Sequence, residues 1–144
     1  MRKFMNNFKG WCIMTRKQAR EETFILIFEK QFNDDKLEDI LSLAEEVRDI
    51  VADEYVKKVF FGVFENIEKI DEKISQNAVG WSINRITKIA LAILRLAIFE
   101  IDFYDEIPVS VAINEAVELA KKYATKEDAS FINGTLSTIA KQTA

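Results

Sequence analysis

The 144-residue chain contains no histidine, one cysteine, one proline and only four glycines. Without histidine it can assemble neither a Ser-His-Asp or Cys-His catalytic group nor a His-ligated zinc site. Cys12 is the only cysteine, so an internal disulfide and a multi-cysteine metal site are excluded as well. These absences favour a binding protein of the reducing cytoplasm over a hydrolase or a zinc protein.

Other enzyme signatures are also missing from the sequence. The four glycines stand alone, so there is no glycine-rich phosphate loop, and there is no G-x-S-x-G nucleophile elbow. Glu115 and Glu118 have the spacing of a di-iron ligand pair, but that chemistry usually requires Glu-x-x-His from two helices. We therefore predict a protein with no enzymatic activity, no metal and no cofactor.

The shortage of glycine and proline, combined with 49% hydrophobic residues, indicates an all-α fold. The length suits one domain or two small helical bundles that share a core. Residues 1–13 lack the continuous apolar region of a secretory signal. The apolar run between Lys88 and Arg95 is far shorter than the roughly 20 residues that span a bilayer, so we expect no membrane segment.

The most apolar segment runs from Ser82 to residue 101 and is expected to form the central helix, with Ser82 as its N-cap. Leu91, Leu96 and Phe99 fall outside its main stripe, so the helix is apolar around much of its circumference. A helix of this kind is buried on more than one side. The stripe recurs every three or four positions, as on one helical face, and consists of Ile86, Ile89, Ala90, Ile93, Leu94, Ala97, Ile98 and Ile101.

Capping residues and polar breaks predict the other helices. They are expected from Arg16 to about Phe32, Leu37 to about Val51, Glu54 to about Ile70, Pro108 to Tyr123, and Ala129 to Lys141. Residues 71–75 either continue the third helix or form a short one. In the second helix, Val47 and Val51 are expected on the buried face, whereas Phe131 lies beside the buried stripe of the last helix. Arg95 and Glu100 should reach the edge of the central helix and snorkel or pair there.

Positive charge is concentrated near the beginning of the chain. Residues 1–20 contain six cations and no acid, although the whole chain has a net charge of −4. Arg16, Lys17 and Arg20 fall on the first turns of the first helix, where cations oppose the helix dipole at a cost of about a few tenths of a kcal/mol. An anionic partner would explain this cluster, because it gains both the charges and the exposed amides of the helix start. A solvated face is the alternative that the pattern leaves open.

Several segments together resemble the NusB transcription-antitermination family. The most specific are IPVSVAINEAVELAKKY at 107–123 and FINGTLSTIA at 131–140; RKQAREETFILIFE at 16–29, ILRLAIFE at 93–100 and the Trp81-x-x-x-Arg85 spacing agree with them. The resemblance extends from Met14 to about Lys141. It implies a NusB-like, all-helical fold of about seven helices in residues 14–144. Residues 1–13 then form an N-terminal extension, or lie upstream of a true start at Met14.

The resemblance also implies a function. NusB-like proteins bind boxA RNA of ribosomal-RNA leaders together with NusE, a small ribosomal-subunit protein, and the pair joins the RNA polymerase antitermination complex. The basic first helix of the family touches RNA, which assigns that role to Arg16, Lys17 and Arg20. The aromatic of the F-[IV]-N-G motif lies at the RNA surface, which assigns base stacking to Phe131 and base-edge contacts to its neighbour Asn133.

One departure and two alternatives accompany this resemblance. Glu21 and Glu22 directly follow the basic cluster, so we expect RNA affinity to depend on NusE. A NusB-like domain can also be the RNA-docking part of an RNA cytosine methyltransferase, whose catalytic domain would have to follow Ala144. A helical adaptor that binds only protein is the second alternative. Because some NusB-like proteins self-associate, the resemblance also leaves a homodimer open.

Overall fold

The computed structural model describes residues 14–78 and 80–143, so the expectations for residues 1–13 concern a segment outside the described residues. In this part the regular structure is helical throughout, with no strand, and the predicted all-α fold is confirmed. The described residues form seven α-helices: α1 (Arg16–Lys30), α2 (Leu37–Val47), α3 (Glu54–Glu65), α4 (Ile67–Asn77), α5 (Lys88–Phe103), α6 (Val109–Tyr123) and α7 (Lys126–Thr143). A short 3₁₀ turn (Ile83–Arg85) precedes α5.

The chain divides into two compact units, as expected of two small bundles. Unit 1 is Met1–Phe61 and unit 2 is Gly62–Ala144, so the boundary falls within α3. In unit 1, α1 packs against α2. Among the described residues of this unit, the large apolar side chains that are fully buried are Leu26, Ile27, Val56, Val59 and Phe60.

Unit 2 is built around α5, which packs against α4, α6 and α7. Eleven of its 16 residues are buried. They include Leu91, Leu96 and Phe99, and also the six stripe residues Ala90, Ile93, Leu94, Ala97, Ile98 and Ile101. The prediction that this helix is buried on more than one side is therefore confirmed.

The predicted start of α5 is wrong. Its N-cap is Thr87, whose Oγ1 accepts a hydrogen bond from the backbone N–H of Ala90 at 3.1 Å. Ser82 instead precedes the 3₁₀ turn and makes no side-chain capping bond. Ile86 has an extended backbone between the two elements. A β-branched Ile-Thr pair is a poor helix interior, and the threonine satisfies an amide of the helix start.

Side-chain to backbone hydrogen bonds also explain the boundaries around α3 and α7. Asn66 has φ −113° and ψ 20° and donates from Nδ2 to the carbonyl oxygen of Gly62 at 2.9 Å. The predicted third helix is therefore two helices, with residues 71–75 inside α4. At α7, Thr125 Oγ1 accepts from the N–H of Asp128 at 3.0 Å, which starts the helix before the predicted Ala129.

The second helix is shorter than predicted. It ends at Val47, and Asp49 adopts a left-handed backbone with φ +58° that cannot continue it. Val47 is 71% exposed and Val51 is 51% exposed, so their predicted burial is wrong. Both residues fit an apolar periodicity, but the chain leaves the helix before the second of them.

Charged residues of α5 behave differently from one another. Arg95 forms a two-pronged ion pair with Asp71 of α4, with Nε to Oδ1 at 2.9 Å and Nη2 to Oδ2 at 2.8 Å. Its predicted pairing is confirmed. Glu100 is 0% exposed, so its predicted position at the helix edge is wrong.

In the described part of the chain, no helix is both long and apolar enough to cross a membrane.

Candidate nucleic-acid interface

The start of α1 is built as a capping box. Thr15 Oγ1 accepts from the N–H of Gln18 at 3.1 Å, and Gln18 Oε1 accepts from the N–H of Thr15 at 2.9 Å. The predicted N-cap is therefore confirmed. The first turn contains no acidic residue. Two reciprocal hydrogen bonds thus hold a helix end that its own side-chain charges destabilise.

The three predicted cations of α1 have different environments. Arg16 and Lys17 are exposed, whereas Arg20 is only 4% exposed. Both arginines approach the ring of Tyr55 on α3, with the Cζ atoms 4.6 Å (Arg16) and 5.7 Å (Arg20) from its centroid. Arg20 is thus the least accessible of the three to a ligand.

Tyr55 gives these arginines a defined orientation. The ring is 2% exposed and belongs to unit 1 together with α1. A guanidinium over an aromatic face is attracted to the ring, while the N–H groups of the guanidinium lie in its own plane. We interpret Tyr55 as the platform that orients Arg16, with Arg20 as a buried supporting cation.

One of the two acids that follow the cations is compensated within unit 1. Glu22 Oε1 accepts from Arg48 Nε at 2.9 Å, and Arg48 Nη1 lies 3.3 Å from both carboxylate oxygens of Glu29. Because Glu22 is engaged by a cation, it opposes a polyanion less than its place in the sequence suggests. The loss of RNA affinity caused by Glu22 should therefore be smaller than the sequence alone suggests.

Unit 2 has a cleft with two aromatic walls. Phe131 is half-buried on α7, and Trp81 is 50% exposed just before the 3₁₀ turn. Their ring centroids are 6.0 Å apart and their planes differ by 59°. We refer to this space of about 290 Å³ as the aromatic cleft; it is lined by Trp81, Arg85, Ile86, Thr87, Thr125, Glu127, Asp128 and Phe131.

Polar groups complete the aromatic cleft. Arg85 is exposed, and the described part of the chain offers it no ion pair. The Thr87 hydroxyl donates to Asp128 Oδ2 at 3.4 Å. The cleft therefore combines aromatic surface, one cation and carboxylate acceptors, which are groups that can contact a base, a phosphate and a base edge respectively.

Sequence reasoning missed Trp81 as a candidate for the site. The Trp81-x-x-x-Arg85 spacing contributed only to the family resemblance. A usable signal was present, because Trp81 lies outside every apolar stripe and directly follows the break at residues 77–80. A large aromatic residue with no place in a core stripe is a candidate for a surface contact.

The structure does not bring Phe131 and Asn133 together. They are two positions apart on α7, and residues at this spacing do not share a helix face. Asn133 is exposed and borders a different depression of about 550 Å³, which Lys121 and Lys126 also line. A base held by Phe131 would therefore have its edge read by residues other than Asn133.

Unit 1 also exposes an apolar groove between α1 and α2. Phe32 and Leu43 are each 60% exposed, and the ring centroids of Phe28 and Phe32 are 4.9 Å apart. The space measures about 420 Å³. We refer to it as the apolar groove; its apolar lining is Phe28, Phe32, Ile40, Leu43, Ala44 and Val47, and its rim includes Glu29, Asp35 and Asp39. Exposed apolar surface with a polar rim typically marks a protein-binding site.

Among residues 14–78 and 80–143, no three cysteine, aspartate or glutamate side chains are arranged to hold a metal ion.

The NusB family model matches residues 17–141. A transcription antitermination protein NusB from Natranaerobius thermophilus is 45% identical over 134 residues, which cover 90% of this chain and 96% of that protein.

Solved structures agree with the sequence comparison. The structure of NusB from T. maritima has a TM-score of 0.81 and 36% identity, and the similarity covers 90% of this chain and 93% of that one. A structure of antitermination factors NusB and NusE in complex with double-stranded RNA contains a chain with a TM-score of 0.80 and 28% identity. The similarity covers 88% of this chain and 96% of that one.

Proposed function

Since the chain belongs to the NusB family, we propose that it binds boxA RNA together with NusE and so supports processive transcription within the RNA polymerase antitermination complex. In this role it makes and breaks no covalent bonds. It holds RNA and a protein partner in one assembly. A related chain has been solved with both kinds of partner, NusE and RNA.

The start of α1 is the observation that carries the RNA part of the proposal. Arg16 and Lys17 are exposed there, on a capped helix end whose first turn contains no acid. Their charges destabilise the isolated helix end, and an anionic ligand bound there would offset that cost. Neutralising RNA phosphates releases counterions, which gives affinity that falls with salt but carries little sequence information.

Sequence preference requires contacts of another kind. Phe131 offers a half-exposed ring on which an unpaired base can stack. Stacking of one base on an aromatic side chain contributes about 1–3 kcal/mol. We therefore assign affinity mainly to the start of α1 and base recognition mainly to unit 2.

The apolar groove supports the NusE part of the proposal. Phe32, Leu43 and Val47 are largely exposed and form an apolar patch of the kind that a protein partner usually covers. The rim of the groove carries acidic side chains. A basic ribosomal protein complements this rim, whereas a second copy of the chain would bring acid against acid. The groove therefore favours NusE over a homodimer as its occupant.

The direct test is the anisotropy of labelled single-stranded boxA RNA, titrated with the protein with and without NusE. We expect binding of boxA in preference to a scrambled RNA of equal length, with higher affinity when NusE is present. Equal affinity for both RNAs in the presence of NusE would contradict the proposal. NusE binding without any RNA binding would instead support the protein-only adaptor.

A matched pair of variants connects this result with α1. Arg16→Gln with Lys17→Gln removes two exposed cations from the helix start, and Lys36→Gln with Lys57→Gln removes two exposed cations elsewhere in unit 1. The first variant should weaken RNA binding and lower its salt dependence, while the second should change both much less. Equal effects of the two variants would assign the affinity to overall charge and remove the role given to α1.

A further inference from the structure

The aromatic cleft has a feature that a general base-stacking surface does not need. Two of its lining residues, Glu127 and Asp128, are carboxylates. A carboxylate repels phosphate and only accepts hydrogen bonds. This part of the lining is thus unsuited to the RNA backbone and suited to a base edge that donates.

From this geometry we propose that the aromatic cleft binds one unpaired guanine base. In this arrangement the base rests against Trp81 and Phe131, its phosphate lies on Arg85, and its Watson–Crick edge donates to the carboxylate of Asp128. This inference rests on the proposed RNA-binding function and adds a base preference and two further contact residues, Trp81 and Arg85.

The ring geometry fixes how the base can enter. The rings of Trp81 and Phe131 are tilted by 59° with centroids 6.0 Å apart, so they cannot sandwich a flat base between parallel faces. They form two walls of an open corner, in which a base stacks on one ring and meets the other edge-on. Trp81 is 50% exposed and is therefore the wall with the larger free face.

Asp128 is positioned to read the base. Its Oδ2 accepts one hydrogen bond from Thr87, at 3.4 Å, and its backbone N–H is bound to Thr125 Oγ1 at 3.0 Å. Thr87 is itself fixed, because it caps α5 through the N–H of Ala90. The carboxylate is thus oriented by two helix starts and retains acceptor capacity on both oxygens.

Guanine is the RNA base whose edge fits a single carboxylate best. It presents two adjacent donors, N1–H and the N2 amino group, which can bind both carboxylate oxygens at once. Adenine and cytosine each place an acceptor beside their amino group, and uracil flanks its one donor with two acceptors. A two-bond contact of this kind discriminates by about 1–3 kcal/mol, or roughly 5- to 150-fold in affinity.

The test uses tryptophan fluorescence of the full chain. The protein has two tryptophans, so Trp11→Phe leaves Trp81 as the only one. The probes are uridine hexamers in which one central residue is guanosine, inosine or adenosine. We expect the guanosine hexamer to quench Trp81 with an affinity at least about fivefold higher than the adenosine hexamer. Inosine should fall between them, because it lacks the N2 amino group.

Two variants separate stacking from base selection. Asp128→Asn is isosteric, and it should lower the affinity for the guanosine hexamer to about that for the adenosine hexamer. Binding of the adenosine hexamer should not weaken, because only a negative charge is lost. With labelled RNA as the readout, Trp81→Leu should weaken guanosine-hexamer binding at least about fivefold, and Trp81→Phe should restore most of that loss.

Specific outcomes would overturn the inference. Equal quenching by the three hexamers, or a preference that survives in Asp128→Asn, would refute guanine selection. Unchanged Trp81 fluorescence while boxA RNA still binds would show that the cleft does not contact RNA, and the proposed function would stand. Absence of all RNA binding would refute both. Guanosine 5′-monophosphate is tested in parallel, and if it is as potent as the guanosine hexamer, free nucleotide rather than RNA is the ligand.

Discussion

The start of α1 in unit 1 and the aromatic cleft in unit 2 are two surfaces of opposite construction. At the first, Arg16 and Lys17 are exposed on a capped helix end without nearby acids in its first turn. At the second, one exposed cation, Arg85, accompanies two aromatic rings and two carboxylates. The first surface presents positive charge without a carboxylate in its first turn, whereas the second combines exposed aromatic surface with carboxylates.

The different compositions of the two surfaces suit them to different tasks, one to RNA affinity and the other to sequence selectivity. Charge at a helix start attracts any polyanion and is screened by salt. In the aromatic cleft the carboxylates repel phosphate and the aromatic walls contact bases, so these groups contribute selectivity that salt affects little. The first surface should therefore decide how tightly RNA binds at low salt, and the second which RNA is bound.

The largest effect is expected from a variant of the apolar groove. It tests whether unit 1 binds protein and RNA through different residues. Leu43→Gln with Val47→Gln places neutral polar groups in the apolar groove and should weaken NusE binding about 100-fold, as loss of interface anchors does. Binding to RNA alone should not change, because no charge changes. Titration calorimetry measures the first quantity and anisotropy the second. Val111→Gln on α6, 39% exposed, is the matched control.

The next largest effect concerns the aromatic cleft. Trp81→Leu with Phe131→Leu removes both rings but keeps apolar side chains, and it should cost about 1–3 kcal/mol of RNA binding free energy. The preference for boxA over a scrambled RNA should fall with it. Filter binding with both RNAs measures the two quantities. An equal loss of affinity for both RNAs would show that the cleft contributes no sequence preference and does not differ from the start of α1 in this respect.

A smaller effect is expected at the start of α1. Arg16→Gln with Lys17→Gln should weaken binding about five- to tenfold at 50 mM salt and reduce the slope of log affinity against log salt by about 1.4, which corresponds to two phosphate contacts. The preference for boxA should stay the same. Circular dichroism is the control, since loss of two unfavourable charges should not lower helicity. A changed preference would show that this surface also reads sequence.

The smallest effect concerns the helix that carries Phe131. Gly134 lies inside α7, and an added Cβ there meets nothing within 4 Å. Gly134→Ala should raise the free energy of unfolding by about 0.5–1 kcal/mol, as measured by urea denaturation. Gly62→Ala is the contrasting variant and should destabilise by about 1–3 kcal/mol, because its Cβ would overlap the ring of Phe99. No stabilisation by Gly134→Ala would show that packing, and not open surface, surrounds this turn.

Much of the fold was predictable because it depends on local periodicity. The buried face of α5, the Thr15 cap and the position of Phe131 beside the α7 stripe followed from spacing alone. Boundaries were less predictable. Thr87 and Asn66 start or end helices through single side-chain to backbone hydrogen bonds, and many threonines and asparagines could do the same.

The candidate site was predictable only in part, because it depends on contacts distant in sequence. The pattern identified Arg16, Lys17 and Arg20 but not that Tyr55 lies beneath two of them. It identified Phe131 but not its neighbour Trp81, which is 50 positions away. Burial of Arg20 and exposure of Val47 likewise arise from packing between elements, which periodicity within one helix does not encode.

The most direct test of this division is the affinity loss of two variants as a function of salt. The losses of the Arg16→Gln/Lys17→Gln and Trp81→Leu/Phe131→Leu proteins, relative to the unmodified chain, are measured with boxA RNA between 50 and 200 mM salt, concentrations that span roughly the range in which phosphate contacts weaken. The loss in the first variant should shrink as salt rises, while the loss in the second should stay constant. Parallel salt dependence of the two losses would contradict the assignment of affinity and choice to different surfaces.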